Sequence, residues 1–372
     1  MSWKRLFSRA LAADPARLHF AAHSHHFWPD ASFDGQAEAW NDAVAMADRK
    51  WEKVMGPVWD EARGHVAAEL SLPDISSLVF SGNTHDFLIR IVSALPRRPV
   101  RLLATDGEFH SFRRQVARWV ESGEVILETA PPDEIYAKAA RGGYDLIFAS
   151  QVLFNSGALL PDIEALAALA RPEGPWVVID GYHGFMATPT DLSRIADKAF
   201  YLAGGYKYAM SGEGVCFLHA PPGFSARPAI TGWYAEFEDL SAAPGTIGYA
   251  PDAGRFLGST FDPSGLYRFN AVQRMLRAEG LTTAAISEHV TALQRRFLSA
   301  GPLPAMTLLN PIDDGPHARF LAFRGRQASA IHDALAAKGV MTDVRGDVLR
   351  IGFALYHDDA DVDRLAEIVT LV

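Results

Sequence analysis

The chain has 372 residues, 49% hydrophobic and 21% charged, with 35 Lys and Arg against 44 Asp and Glu for a net charge of −9. That length allows one large domain and a smaller one with a sizeable core, and the even spread of acid and base excludes a nucleic-acid or polyanion binder. No run approaches the roughly 20 apolar residues of a membrane helix, and the single cysteine, Cys216, excludes an internal disulfide.

The basic N-terminus is not followed by an apolar stretch of signal-peptide length. A cytoplasmic protein with no nucleic-acid, membrane or metal partner is expected. Residues 1–70 read as an arm followed by helices, from Gly35 to Met55 with Trp40, Val44 and Trp51 as apolar positions, then from Val58 to Leu70. Residues 71–268 form the large domain. There, apolar runs predict strands at Ser77–Phe80, Val100–Ala104, Glu124–Glu128, Asp145–Ala149, Trp176–Asp180, Lys198–Ala203 and Val215–His219. Helix-like segments at His85–Leu95, His110–Ser122 and Pro161–Arg171 lie between them. Strand–helix alternation of this kind predicts an α/β fold with a mostly parallel sheet. Residues 221–265, rich in Pro, Gly, Ser and aromatics, read as a long functional loop. Residues 269–372 read as a smaller α+β domain. Helices are expected over Phe269–Ala300, Ala328–Lys338 and Asp361–Leu371, and strands over Met306–Leu309, Phe320–Phe323 and Val348–Phe353.

Three features carry chemistry. Val177-Val178-Ile179-Asp180 is a buried strand ending in a carboxylate, at the strand end where open parallel sheets bind ligands. Asp180 suits a metal ligand, an acid or base, a partner for a cationic ring nitrogen, or a simple turn cap; His183 could share its crevice. Ala203-Gly204-Gly205-Tyr206-Lys207-Tyr208 places a lysine among glycines and aromatics just past a strand. Desolvation there would lower the amine's pKa and favour a Schiff base; a solvated loop lysine is the plainer alternative. Ser81-Gly82-Asn83-Thr84-His85 follows a strand and opens a helix, a ready phosphate site or an ordinary N-cap.

The order Asn83, Asp180, Lys207, with spacings of 97 and 27 residues, resembles the class V aminotransferase family of fold-type I pyridoxal 5'-phosphate (PLP) enzymes. Within it the pattern is most similar to kynureninase. Asp180, His183, Gly184, Pro189 and Asp191-Leu192 carry that likeness, with Tyr206-Lys207-Tyr208 and Gly232-Trp233. The resemblance implies a mostly parallel seven-stranded sheet, PLP on Lys207 as a Schiff base, and Asp180 at the ring nitrogen. It implies Gly82, Asn83, Thr84, His183 and Tyr206 around the cofactor, and Phe109 stacked on its ring with His110 as second choice. It also implies Ser259-Thr260 at the cofactor phosphate of a neighbouring subunit, hence a homodimer with composite sites. Arg350 would hold the carboxylate of a small amino-acid substrate, with His25 and Trp233 at the substrate mouth. The expected reaction is hydrolysis of a Cβ–Cγ bond, with class V transamination the alternative. After Trp233 the chain continues Tyr234-Ala235-Glu236 where kynureninases have Gly-His. Cys216, inside Val215-Cys216-Phe217-Leu218, reads as a buried hydrophobe and argues against a cysteine desulfurase. His23-Ser24-His25 raises a remote alternative, a metal-dependent amidohydrolase.

Overall fold

A two-residue strand β1 (Leu18–His19) precedes the main sheet. The apolar runs of the large domain then become β2 (Leu78–Ser81), β3 (Val100–Thr105), β4 (Val125–Ala130), β5 (Leu146–Ser150), β6 (Trp176–Asp180), β7 (Ala199–Gly204) and β8 (Cys216–His219). The computed structural model describes residues 2–239, 245–312 and 316–372. These seven strands form one sheet in the order β2-β8-β7-β6-β5-β3-β4. Its neighbours are parallel except at β8, which runs against both β2 and β7. Helices cover both faces, so β5 and β7 are buried along their whole length and read as unbroken apolar runs. At the edge, β4 leaves Ile126 and Leu127 exposed.

Six of the seven strands run the same way. The carboxyl ends of β2, β3, β5, β6 and β7 therefore share one side of the sheet, and the register sets Ser150 beside Asp180. The helix Thr84–Ala94 follows β2 and the helix His110–Glu121 follows β3, so both begin on that side.

The smaller domain holds β9 (Thr307–Leu308), β10 (Phe320–Arg324), β11 (Val340–Met341), β12 (Asp343–Arg345) and β13 (Val348–Gly352). An antiparallel sheet runs β12-β13-β10-β9, while β11 pairs in parallel with β1 and Ala21 bridges to Gly352. The N-terminal arm is thus laced onto the C-terminal part of the chain.

One expectation is corrected. The helix expected over Phe269–Ala300 is two helices, Ser264–Ala278 and Thr283–Ser299. Gly280, at φ +66°, ends the first. Thr282 caps the second, its side chain accepting from the Ala285 N–H at 3.2 Å. The long loop over 221–265, whose residues 240–244 lie outside the described residues, packs several of its aromatics within its own chain. Phe224 packs on Trp176 and Phe200, Phe256 on Phe200, and Tyr234 and Phe261 on Trp51. Their density therefore does not by itself require a subunit interface.

Candidate active site

The carboxyl ends of β5, β6 and β7 and the starts of the two helices enclose a cavity of about 180 Å3. Its walls include Asn83, Thr84, Phe109, Asp180, His183, Tyr206 and Lys207. Seven residues chosen from the sequence thus meet at one place.

Asp180 ends β6, and its Oδ1 accepts from the Tyr182 N–H at 2.9 Å. Burial pushes its carboxyl up to about 6, against the pull of that hydrogen bond and the Lys207 charge. Lys207 is held inward by a tight turn. A Cβ on Gly204 would run into the Tyr182 hydroxyl and ring, and one on Gly205 would meet Val215 at 2.5 Å, so only glycines let the chain pass this close. Lys207 is 6% exposed as a residue, and its amine donates to the His23 carbonyl at 2.7 Å and lies 5.1 Å from the Tyr206 ring centroid. Burial, then the nearby Arg350 charge, brings it down to about 7.

Asn83 does cap its helix, its Oδ1 accepting from the Asp86 N–H at 2.9 Å, while also lining the cavity. First-turn N–H groups of a helix lack intrahelical partners, an arrangement that suits an anion. Phe109 lines the cavity and meets Phe154 edge-on at 5.3 Å; His110 lines the wider cleft outside. His183 is buried with its Nδ1 unpartnered, and burial holds it well below the usual imidazole range.

Other chosen residues stand apart from this cavity. Gly82, Ser259 and Thr260 line a neighbouring one of about 330 Å3 with Arg90. His25 is on the surface, 2.8 Å from Glu213, with its ring against Tyr206. Trp233 is 44% exposed and stacks on Tyr234. Arg350 sits behind the wall, its guanidinium donating to the Phe154 carbonyl and to Asp343. His23 and His25 diverge, the first wholly buried near Asp343 and the second exposed. Among the described residues no group of three or more His, Cys, Asp or Glu is placed to hold a metal.

The structure adds residues that the sequence did not single out. Ser150, Phe154 and Tyr182 line the cavity. Glu108, fully buried, accepts from the Ser150 N–H at 2.9 Å, the Ser150 hydroxyl at 2.6 Å and the Thr105 hydroxyl. Burial outweighs these bonds and raises it to about 7. Position was the only available signal: Ser150 ends a strand, and Tyr182 lies between Asp180 and His183.

A buried carboxylate, a helix N-terminus, an aromatic ring and a near-neutral amine thus face one small volume. The set fits a flat ligand with a cationic ring nitrogen, a phosphate and a carbonyl, as PLP has. The fold is the one shared by fold-type I PLP-dependent enzymes, and the relatives this chain is similar to are PLP enzymes of class V. Residues 284–369 match the kynureninase C-terminal domain family. Isopenicillin N epimerase of Streptomyces clavuligerus is 29% identical over 294 residues, covering 72% of this chain and 73% of that one. Among solved structures, a C-DES mutant with glycine covalently linked to its PLP cofactor superposes with a TM-score of 0.83 at 16% identity, covering 99% of each chain. The cysteine desulfurase of Thermococcus onnurineus gives 0.81 at 18%, covering 100% of each. In this chain Cys216 lies in β8, where burial raises its thiol to about 12.

Proposed function

We propose that this enzyme works at the α-carbon of an amino acid and hydrolyses a Cβ–Cγ bond in the manner of a kynureninase. The observation that carries the reading is Lys207, a wholly buried amine near pH-neutral pKa, facing the same cavity as Asp180. Lys207 would hold PLP covalently, with its phosphate at the Thr84 helix N-terminus, its ring against Phe109 and its nitrogen at Asp180. When bound, PLP supplies an electron-withdrawing ring that spreads negative charge developing at the substrate carbon. Asp180 keeps the positive charge of the ring nitrogen in place. Arg350 takes the substrate carboxylate, which a guanidinium fork can hold bidentately. The Lys207 amine would remove the α-proton, since burial brings it down to about 7 and leaves it largely unprotonated near neutral pH. In the hydrolysis, water adds its oxygen to the γ-carbonyl carbon, the Cβ–Cγ bond breaks, and the Cβ carbon takes up a proton. The kynureninase-type match of residues 284–369 favours this outcome.

The epimerase relative favours a second reading, inversion at the α-carbon. The protein also works as a homodimer in this proposal, with Ser259-Thr260 of one protomer serving its partner's cofactor. Turnover of kynurenine separates the readings. Release of anthranilate with alanine supports hydrolysis. Solvent deuterium at the α-carbon with loss of chirality and no cleavage replaces it by epimerisation. Formation of a keto acid replaces it by amino-group transfer.

A further inference from the structure

Arg350 stands in the middle of β13, opposite Asp343 of β12. One end of its guanidinium donates to Asp343 Oδ2 and the other to the Phe154 carbonyl, and its Nε is buried without a partner. Phe154 and Phe320 lie on the cation at 5.8 and 5.7 Å. The pair is buried, Arg350 at 3% and Asp343 at 8% exposure. Asp343 has a second cation within reach: its Oδ1 lies 3.3 Å from Arg345, whose side chain is 43% exposed. His23 adds a third neighbour, its Nε2 3.8 Å from Oδ2.

A carboxylate arriving at Arg350 would use Nε and the terminal nitrogen that Asp343 now holds. Two carboxylates cannot share that buried edge without strong repulsion. We propose that Asp343 is a positioning residue that stands in for the ligand's carboxylate on Arg350, and that an arriving carboxylate displaces it toward Arg345. The exchange keeps the buried guanidinium paired at every stage, which matters because an unpaired buried charge is strongly destabilising. Binding is thereby tuned to ligands carrying a carboxylate, since a neutral group cannot replace the pair it would break. The inference rests on Arg350 being the carboxylate holder of the proposed function.

The test is calorimetry of the full chain, with and without PLP, using propionate as probe and propionamide as neutral control. Asp343→Asn removes the competing charge and should tighten propionate about tenfold, a change of about 1.4 kcal/mol, leaving propionamide unchanged. Tightening supports the proposal; unchanged or weaker propionate binding overturns it. Where Asp343→Asn does not fold, Arg345→Gln decides, because it removes the cation that the displaced carboxylate keeps. Propionate should then weaken about threefold, within the range of an exposed ion pair, and an unchanged affinity overturns the proposal. Arg350→Gln separates the two claims. If that variant binds propionate as before, the carboxylate site itself is wrong. If it loses propionate while Asp343→Asn changes nothing, only the displacement is wrong.

Discussion

Burial, more than any single partner, sets the chemistry of Lys207 and Asp180. Both are enclosed by the sheet edge and the two helix starts, and each is shifted toward its neutral form. Reduction of the PLP-loaded protein with borohydride should fix the cofactor on Lys207, read by peptide mass; label on another lysine would displace it from its role. Lys207→Ala should abolish turnover. Asp180→Ala should cost on the order of a hundredfold in kcat, as loss of one preorganised charge at a reacting centre does. Asn83→Ala removes a helix cap and one polar group of the cavity, so it should cost about 1 kcal/mol of stability and far less activity. Equal kcat losses in the two variants would mean that their roles are misassigned.

At the scale of elements, the arm that carries β1 is tied down by buried imidazoles. His19 Nδ1 meets the Tyr356 hydroxyl at 2.6 Å, His357 Nε2 meets the His19 carbonyl at 2.9 Å, and His26 packs on Phe7 and Tyr356. Burial lowers His19 and His26 to about 3, and His357 well below the usual range. The folded state therefore binds fewer protons than the unfolded state between about pH 6.5 and 3, and stability falls as pH drops through that window. His19 and His26 each cost about 2 kcal/mol at pH 5. Glu108 and Asp180, raised to about 7 and 6, act in the opposite sense, offsetting about 1–3 kcal/mol each. Urea midpoints at pH 7.5 and 5 should show a net loss at the lower pH; a flat profile would mean the imidazoles are not locked neutral. The main sheet was legible because strands buried on both faces are continuous apolar runs, so β2 to β8 fall within about two residues of expectation. The short strands β1, β11 and β12 were not, since β1 and β11 pair across more than 300 residues of sequence. For the same reason Asp180 and Lys207 were visible at strand ends, while Glu108 looked like any surface carboxylate and Asp343 gave no sign that it holds Arg350.

The whole molecule leaves apolar surface uncovered. Phe33, Trp40 and Val44 are 52%, 70% and 72% exposed on the helix Asp30–Met46, and Ile230, Trp233 and Ile247 are exposed in the long loop. Such side chains are what a second copy of the chain would bury. The buried loop aromatics pack within their own chain, so the case for assembly rests on this exposed set and on Ser259-Thr260, which stand outside their own chain's cavity. If those two residues serve a partner's cofactor, each site draws on both protomers. Lys207→Ala and Thr260→Asp should then each be inactive alone. Mixed, dissociated and re-associated, they should regain up to about a quarter of wild-type activity, because random pairing gives half heterodimers and one intact site in each. Activity that stays at zero in a verified heterodimer would place Ser259-Thr260 in their own protomer's site. A fully active monomer by light scattering would remove the composite site while leaving Lys207 and Asp180 where they are.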